Sequence, residues 1–346
     1  MTSPSSILDP WYLKNLTCPV DRGPLTWDAD RSELLSLAGS RRYPVVDGIP
    51  VMLPEDVAPT LESTHASRGN VANGAPWYVD SVDLPDAQKM SILELAKRGS
   101  EIDPVAAYLV AATNGLGYLH LVGKLTEYTI PEIRLPDGNG KTLLDIGCSW
   151  GRWCSAAGRK GYQPIGIDPS LGAVMAARRV TQSLGINARF IVGDARHLPL
   201  REGCIDTVFS YSVIQHFSVP DATQTIAHLG RVLKPGGNCM IQMPTKYGIR
   251  CLVNQARRGF RETHGFEVRY WSLADLRTTF GQHVGPAEFA VDCFFGIGWQ
   301  PSDAHLMPPS LRAVIRASEA LRTLSRTVPL LTQVADSVYV LATKTP

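Results

Sequence analysis

The sequence predicts an α/β fold in which helices cover both faces of a mostly parallel sheet, preceded by a small β-rich module. From Lys141 onward, short apolar runs alternate with helical patterns, which is typical of right-handed βαβ units. Before residue 56 the chain has strand-like pieces and turn signals, including Asp47-Gly48 between two apolar runs. The length of 346 residues exceeds one ordinary single-core domain. We therefore expect two units of unequal size.

Changes of composition divide the chain into four stretches. The second stretch mixes proline, asparagine, glycine and serine with few apolar clusters, as linkers do, and its one helical pattern is DAQKMSILELAKRG. The third stretch starts with an uncharged helical pattern and is a predicted helical cap. In chain order the stretches are the β-rich module (7–56), the linker (57–100), the cap (101–140) and the repeating α/β region (141–346).

Composition narrows the class of protein. A hydrophobic content of 44% supplies ample core material and excludes wholesale disorder. The 34 basic and 32 acidic residues give a net charge of +2, which is no broad footprint for a polyanion, so no nucleic-acid partner is expected. The seven cysteines are odd in number and scattered singly, as in a reducing compartment.

An uncharged run from Pro104 to Gly123 has about the length that crosses a bilayer. The run contains Asn114 and His120 and is rich in alanine, so it is more typical of one or two buried helices. The chain starts without the basic region and apolar stretch of a signal peptide. We expect a cytoplasmic protein without membrane insertion.

The most informative motif is the passage LLDIGCSWGRWC. An apolar strand runs into Asp145, and Gly147 and Gly151 then open a turn into a predicted helix. Glycine lets the backbone approach a ligand closely, and the free amides of a helix start can hydrogen-bond that ligand. The G-x-x-x-G spacing alone fits a simple strand-to-helix turn equally well.

Two further acids follow at predicted strand ends. Asp168 comes about twenty residues downstream, where nucleotide-binding folds place an acid that accepts hydrogen bonds from ribose hydroxyls. Asp194 ends the third strand, in FIVGDARHLP. A helix N-cap role would explain Asp168 alone but not the series. Because open α/β sheets bind ligands at the carboxyl ends of their strands, we expect one ligand crevice beside these acids.

From Lys141 to Lys246 the sequence resembles the class I S-adenosylmethionine-dependent methyltransferases of the methyltransferase domain 11 group. The most specific motifs are LLDIGCSWGRWC, IGIDPS, GDARHLPL, SYSVIQHF and RVLKPGG. The resemblance implies a Rossmann-like sheet with S-adenosylmethionine as cofactor. A dinucleotide-binding dehydrogenase is disfavoured because Ser149 stands where its G-x-G-x-x-G pattern needs glycine. The resemblance implies cofactor-binding roles for Asp145, Gly147, Cys148, Gly151, Asp168, Pro169, Asp194, Ala195, Arg196 and Ser210.

The sequence indicates less about the methyl acceptor than about the cofactor. The resemblance places the residues after the fourth strand, SYSVIQH, beside the methyl group, and the motifs of base-methylating relatives are absent there. His216 in this run and His264 in a later loop are the two candidate general bases, and a structural or substrate-orienting role for His216 stays open. No carboxylate cluster is apparent, so we expect no metal site and metal-independent transfer.

The N-terminal module resembles the small zinc-ribbon activator subunit of tRNA and protein methyltransferases. The similarity lies in LKNLTCPVDRGPL and RRYPVVDGIPVMLPED. Asp21 occupies the second cysteine position of the C-P-x-C knuckle of that family, so Cys18 lacks its partner and zinc is not expected. We expect the module to dock on the catalytic domain or to act as its lid.

These features predict a methyltransferase that acts on a hydroxyl of a small molecule or sugar, with a homodimer as the candidate oligomer. A protein or RNA methyltransferase, and a non-catalytic protein that only binds the cofactor, are the alternatives. We expect the acceptor pocket to be built by the helical stretch from Asp103 to Leu135, the loop around Arg257 to Tyr270 and the segment FFGIGWQ. Four aromatic residues are candidates for stacking on the acceptor, with core packing expected for at least two of them; they are Trp271, Phe294, Phe295 and Trp299.

Overall fold

The structure is a computed structural model with a seven-stranded mixed sheet flanked by helices and a four-stranded antiparallel sheet near the N-terminus. The predicted fold class is confirmed. The ends of the predicted module, at residues 7 and 56, and two short parts of the predicted linker, 57–63 and 70–75, lie outside the described residues. The structure describes residues 8–38, 41–55, 64–69, 76–296 and 298–345.

The N-terminal module is one short helix and four strands. Asp9 caps the helix by accepting a hydrogen bond from the Trp11 amide. The predicted tight turn is present, with Asp47 and Gly48 at φ 49° and 81° between the last two strands. The elements are α1 (Pro10–Asn15), β1 (Leu25–Asp28), β2 (Glu33–Ser36), β3 (Arg42–Val46) and β4 (Ile49–Pro50).

The predicted linker and cap are built mainly of helices. The helical pattern in the linker is α3, and the uncharged run is α4 followed by a 3₁₀ helix at Leu116–Leu121, in agreement with the sequence. From residue 122 to 140 the structure has no helix, so the predicted cap is helical only in its first half. These helices are α2 (Thr64–Gly69), α3 (Asp86–Arg98) and α4 (Pro104–Asn114).

The linker is not a loose connection in its described part. The side chains of Val79, Val82 and Ile92 are buried and share a core cluster with α4. Asp103 caps α4 by accepting hydrogen bonds from the amides of Val105 and Ala106. The described part of the linker and the first half of the cap therefore pack on the α/β region that carries the large sheet.

The large sheet follows the alternation that the sequence predicts. Its order is β10-β11-β9-β8-β5-β6-β7, with parallel pairing from β9 to β7 and antiparallel pairing of β11 and β10. The strands are β5 (Thr142–Ile146), β6 (Gln163–Asp168), β7 (Arg189–Val192), β8 (Ile205–Ser210), β9 (Leu233–Pro244), β10 (Ala287–Cys293) and β11 (Ser337–Thr343). The helices are α5 (Arg152–Arg159), α6 (Leu171–Ser183), α7 (Val219–Val232), α8 (Ile249–Arg257), α9 (Leu273–His283) and α10 (Pro309–Leu324).

Successive residues of the strands face two different cores. On β5, Leu144 and Ile146 pack with α7 and α9, whereas Leu143 packs with α4, α5 and α6. This period of two is what a strand covered on both faces requires. Because helices cover both faces of the sheet, the carboxyl ends of the parallel strands are the part that stays open.

The N-terminal module covers the outer edge of the large sheet at β7. The Tyr12 hydroxyl donates to the Phe190 carbonyl oxygen at 2.8 Å and accepts from the Phe190 amide at 3.1 Å. Further along, the Met52 amide donates to the Val192 carbonyl oxygen at 2.7 Å, and a parallel bridge joins Val51 to Val192. An uncovered strand edge exposes a row of unpaired backbone groups, so the module satisfies groups that β7 leaves open.

Among the described helices, none combines the length and the apolar character that a bilayer crossing needs.

Candidate active site

A cavity lies at the carboxyl ends of β5, β6 and β8, and we refer to it as the main cavity. The glycine-containing loop after β5 forms its floor. Gly147 has φ 72°, and a Cβ atom there would lie 2.3 Å from a methyl carbon of Val213. Gly151, at φ 81°, starts α5, and a Cβ atom there would lie 2.9 Å from the Cβ atom of Ala177. Only glycine fits both positions, because other residues combine left-handed strain with a steric clash.

Asp168, the last residue of β6, is held at the cavity wall by two backbone groups. Its carboxylate oxygens accept hydrogen bonds from the amides of Ser149 and Ser170, each at 3.0 Å. Burial raises the pKa of Asp168 to about 6, against the opposing effect of these hydrogen bonds. The carboxylate is thus fixed in orientation at the carboxyl end of its strand.

Six of the ten residues with an implied cofactor role line the cavity, namely Gly147, Cys148, Asp168, Pro169, Asp194 and Ala195. The Asp194 carboxylate forms a close ion pair with Arg196, whose Nη2 atom lies 2.5 Å from Oδ2. This pair holds Asp194 in place beside Ala195. The role of each residue toward a cofactor stays a prediction.

The other four lie behind the residues that line the cavity. Asp145 is 1% exposed, accepts a hydrogen bond from the Cys154 thiol at 3.3 Å, and has its pKa raised by burial to about 7. The Ser210 hydroxyl donates to the Ile146 carbonyl oxygen at 3.1 Å. With Gly151 and Arg196, these residues support the loops, and any effect on a ligand passes through residues that do face it.

His216 lines the cavity near the carboxyl end of β8, within a 3₁₀ turn at Ile214–His216. Its Nδ1 atom lies 2.8 Å from the carbonyl oxygen of Phe266, and its ring stacks on the Phe266 ring with centroids 4.1 Å apart. Burial lowers the pKa of His216 below its usual value of 6.5. The neutral form of the imidazole therefore predominates at pH 7.

The two candidate bases lie in different surroundings. His264 is exposed on the loop between α8 and α9, and it is not among the described residues that line the cavity. Its backbone amide donates to the Glu267 carboxylate at 3.0 Å. The structure thus places only His216 at the cavity, although the loop of His264 contributes Phe266.

One wall of the cavity comes from the linker, where the sequence identified no site residue, and from α4, which lies in the stretch expected to build the acceptor pocket. Val82 and Asp83 of the linker and Thr113 of α4 line the cavity. The hydroxyls of Thr113 and Ser149 lie 2.8 Å apart, which ties α4 to the glycine-containing loop. The absence of charge in α4 marked the helix as buried, whereas the linker offered no comparable signal for Val82 and Asp83.

The proposed acceptor-stacking aromatic residues do not line the main cavity. Trp271 and Phe294 are 5% and 2% exposed and belong to the hydrophobic core. Phe295 and Trp299 pack against core clusters, and the Trp299 ring lies against Gly117. Core packing, expected for at least two of the four residues, is confirmed for Trp271 and Phe294, and Phe295 and Trp299 are partly buried away from this cavity.

Two protein-family models match this chain, one in each of its two parts. A methyltransferase domain family matches residues 143–237, which include the glycine-containing loop, Asp168, Asp194 and His216. A Trm112p-like protein family matches residues 13–48. The chain carries a methyltransferase domain and an N-terminal Trm112p-like module.

Individual proteins resemble each part of the chain. The UPF0434 protein of Bradyrhizobium sp. strain ORS 278 is 49% identical over 53 residues, which are 15% of this chain and 82% of that protein. A SAM-dependent methyltransferase from Methanosarcina mazei aligns with TM-score 0.44 at 17% identity, covering 64% of this chain and 99% of that one. A solved complex that contains the Haloferax volcanii Trm112 methyltransferase activator aligns with TM-score 0.42 at 18% identity, covering 62% of this chain and 86% of that one.

S-adenosylmethionine is the cofactor of the methyltransferase domain, and the cavity fits it chemically. Gly147 leaves the backbone open to the ligand, and the fixed carboxylate of Asp168 can accept hydrogen bonds from a ribose diol. The cavity wall also carries the carboxylate of Asp83, which suits a ligand that bears a sulfonium and an ammonium group.

Cys148 fits the loop although the resemblance implies glycine there. A Cβ atom added to Gly166 of β6 would lie 2.7 Å from the Cys148 sulfur, so the thiol occupies space left by the glycine. The side chain is 1% exposed, and burial raises the pKa of the thiol to about 11. Cys148 is therefore a neutral packing residue of the loop.

The Trm112p-like module does not present a zinc-ribbon donor set. The Cys18 sulfur lies 3.2 Å from the Tyr43 hydroxyl, and the Asp21 carboxylate accepts hydrogen bonds from the Gly23 amide at 2.7 Å and the Ser36 hydroxyl at 3.2 Å. Across the described residues, no group of three or more His, Cys, Asp or Glu side chains could hold a metal ion. One thiol and one hydrogen-bonded carboxylate do not match the four ligands of a structural zinc site.

Proposed function

We propose that this methyltransferase transfers the methyl group of S-adenosylmethionine to a hydroxyl of a small molecule or sugar, without a metal ion. The observation that carries the proposal is His216, a neutral imidazole at the cavity whose Nδ1 atom is engaged by the Phe266 carbonyl oxygen. A hydroxyl acceptor must lose its proton during transfer, and a positioned neutral imidazole is suited to take it.

The bound cofactor supplies an electrophilic methyl group on its sulfonium. Asp168 holds the ribose end, and the loop at Gly147 keeps the backbone close to the methionine end. His216 accepts the acceptor's proton at Nε2, since Nδ1 already donates to the Phe266 carbonyl oxygen.

The test is a screen of labelled methyl transfer onto cell extract separated into small molecules, glycans, RNA and protein. Label in the small-molecule or glycan fraction, stable to the mild base that hydrolyses methyl esters, supports the proposal. Label confined to RNA or protein would contradict it. Full activity in a chelator supports metal independence, whereas loss that magnesium restores would contradict that part.

A protein or RNA acceptor is the second candidate, and the Trm112p-like module is the observation that favours it. The same screen separates the two candidates. The near-neutral net charge of +2 favours the small-molecule acceptor, because RNA binding needs a concentrated positive surface.

We also propose a cytoplasmic location. All seven cysteines are buried and free of disulfides, as expected in a reducing compartment.

A homodimer is the oligomer proposed. Sedimentation velocity of the purified full chain tests it, since a single monomeric species across micromolar concentrations would contradict it.

A further inference from the structure

Helix α8 presents an apolar surface that the proposed reaction does not use. Its buried side carries Cys251, whose amide donates to the Asp336 carboxylate at 2.9 Å, so the helix is anchored to the loop before β11. Its other side faces solvent. We name as the α8 surface five side chains that are 40% to 69% exposed, Tyr247, Ile249, Leu252, Val253 and Phe260.

Positive charge accompanies this apolar surface. From Lys246 to Arg261 the sequence has five basic residues and no acidic one. Arg258 packs on Tyr270, with its guanidinium carbon 5.2 Å from the ring centroid, and Arg261 pairs with Glu267 at 2.6 Å. The other three basic residues, Lys246, Arg250 and Arg257, are exposed.

The combination of exposed apolar side chains and exposed cations favours a lipid surface over a nucleic acid as the partner. Phosphates of a nucleic acid would attract the cations but would leave Ile249, Leu252 and Val253 in water. An aliphatic side next to arginine is the pattern of helices that lie in a membrane interface, where apolar side chains enter the acyl boundary and cations meet anionic headgroups. Each cation near such a surface contributes to binding, and the contribution is lost at high salt.

The α8 surface is connected to the cavity by the segment that follows it. The Arg258 side chain donates to the Val268 carbonyl oxygen at 3.1 Å, and the Arg261–Glu267 pair closes the turn between them. Within that turn, Phe266 lines the cavity and stacks on His216. A surface bound at α8 would therefore lie next to a segment that forms part of the cavity wall.

We propose that α8 docks this protein peripherally on an anionic lipid bilayer, through the α8 surface and the cations Lys246, Arg250 and Arg257. This proposal goes beyond the proposed function and does not depend on it, because docking requires no methyl transfer.

The experiment is co-sedimentation of the full chain with vesicles of phosphatidylcholine, with or without about one third phosphatidylglycerol. The wild type is expected to bind the anionic vesicles and to be released by high salt. The Arg250→Gln/Arg257→Gln variant is expected to bind about 25-fold more weakly, at about fivefold for each cation removed. Leu252→Asp/Val253→Asp is expected to abolish binding. Arg159→Gln and Leu116→Asp change exposed residues elsewhere and are expected to bind like the wild type.

Circular dichroism and calorimetric binding of S-adenosylmethionine are measured on every variant, so that misfolding is detected separately from loss of docking. Absence of binding to anionic vesicles, or equal binding to neutral ones, would overturn the proposal while leaving cofactor binding and methyl transfer intact. Two other results would also overturn it. They are preferential displacement of vesicles by RNA, and self-association that the Leu252→Asp/Val253→Asp variant abolishes.

Discussion

The Nδ1 atom of His216 lies 2.8 Å from the carbonyl oxygen of Phe266, fifty residues later in the chain. A carbonyl oxygen can only accept a hydrogen bond, so Nδ1 carries the proton and the lone pair of the neutral ring is at Nε2. The Gln215 amide nitrogen lies 3.4 Å from Nε2, which agrees with an acceptor at that atom. One backbone contact thus selects the tautomer that a general base needs.

Replacement of His216 by alanine is expected to lower kcat about 100-fold or more at saturating cofactor, because general-base catalysis contributes at least that factor in many enzymes. The measurement is turnover with the acceptor that the extract screen identifies, together with the calorimetric dissociation constant for S-adenosylmethionine. That constant should stay within a few-fold of the wild-type value.

His264→Ala is the matched control, because it removes the same ring from an exposed position outside the cavity lining. Its turnover should equal that of the wild type. Full turnover in both alanine variants would remove histidine base catalysis, and a loss confined to His264→Ala would reverse the assignment of the base.

The pH profile of the reaction should report the lowered pKa of His216. Because burial places this pKa below 6.5, the neutral base form predominates at pH 7 and is lost only as the pH falls through the lowered pKa. We expect kcat to be highest in the neutral range and to decline on its acid side. The decline should be absent from the residual rate of His216→Ala and present in His264→Ala. A midpoint above pH 7 would contradict the prediction.

Affinity for S-adenosylmethionine should depend on the ionised carboxylate of Asp168. Asp168→Asn keeps the size of the side chain but removes a charged acceptor, a change that costs about 1.5–3 kcal/mol, or roughly 10- to 150-fold in Kd. Since the pKa of Asp168 is about 6, wild-type affinity should also weaken as the pH falls through that value and the carboxylate becomes protonated. Calorimetry at several pH values measures both effects.

Asp83→Asn is the control for this charge removal, because Asp83 also lines the cavity but is exposed to solvent. A smaller change in Kd is expected there, since water screens an exposed charge. Equal losses in both variants would mean that the general field of the cavity binds the cofactor, and not the hydrogen bonds of Asp168.

Tyr12→Phe should destabilise the protein by about 1–3 kcal/mol. The variant keeps the buried ring but leaves the amide and carbonyl oxygen of Phe190 without their partner, and unpaired buried backbone groups carry a penalty of that size. Urea unfolding measures the change. Tyr247→Phe removes a hydroxyl from an exposed tyrosine and should leave the free energy of unfolding unchanged. Equal stability of the two variants would show that β7 does not need the hydroxyl of Tyr12.

Local patterns were sufficient to predict the large sheet and the loop at its centre. The short apolar runs that alternate with helical patterns predicted β5 to β9, and the spacing of Gly147, Gly151 and Asp168 located the cavity because strand ends and turn glycines are local features. The helical stretch that contains Thr113 was expected to build the acceptor pocket, but the part of the wall from Val82 was not predicted. Val82 sits in the linker, which has few apolar clusters, and what it faces depends on packing between distant parts of the chain.

The aromatic residues are a second case in which the sequence could not predict what a side chain contacts. Trp271 and Phe294 have the chemistry of a stacking surface, yet the free energy of burying large rings places them in the core. The Phe266 contact of His216 was also beyond the sequence, because a backbone carbonyl has no residue-type signature. Residue type alone therefore does not distinguish a packing ring from a binding ring.

The contact between Tyr12 and Phe190 has a consequence for how the Trm112p-like module is supplied. The module belongs to the same polypeptide as the sheet edge that it covers, so each catalytic domain has one module and the stoichiometry is fixed at synthesis. Attachment through a connecting segment gives the module an effective local concentration of the order of millimolar, whatever the concentration of the protein. Dilution, which dissociates a two-chain complex, would leave this edge covered.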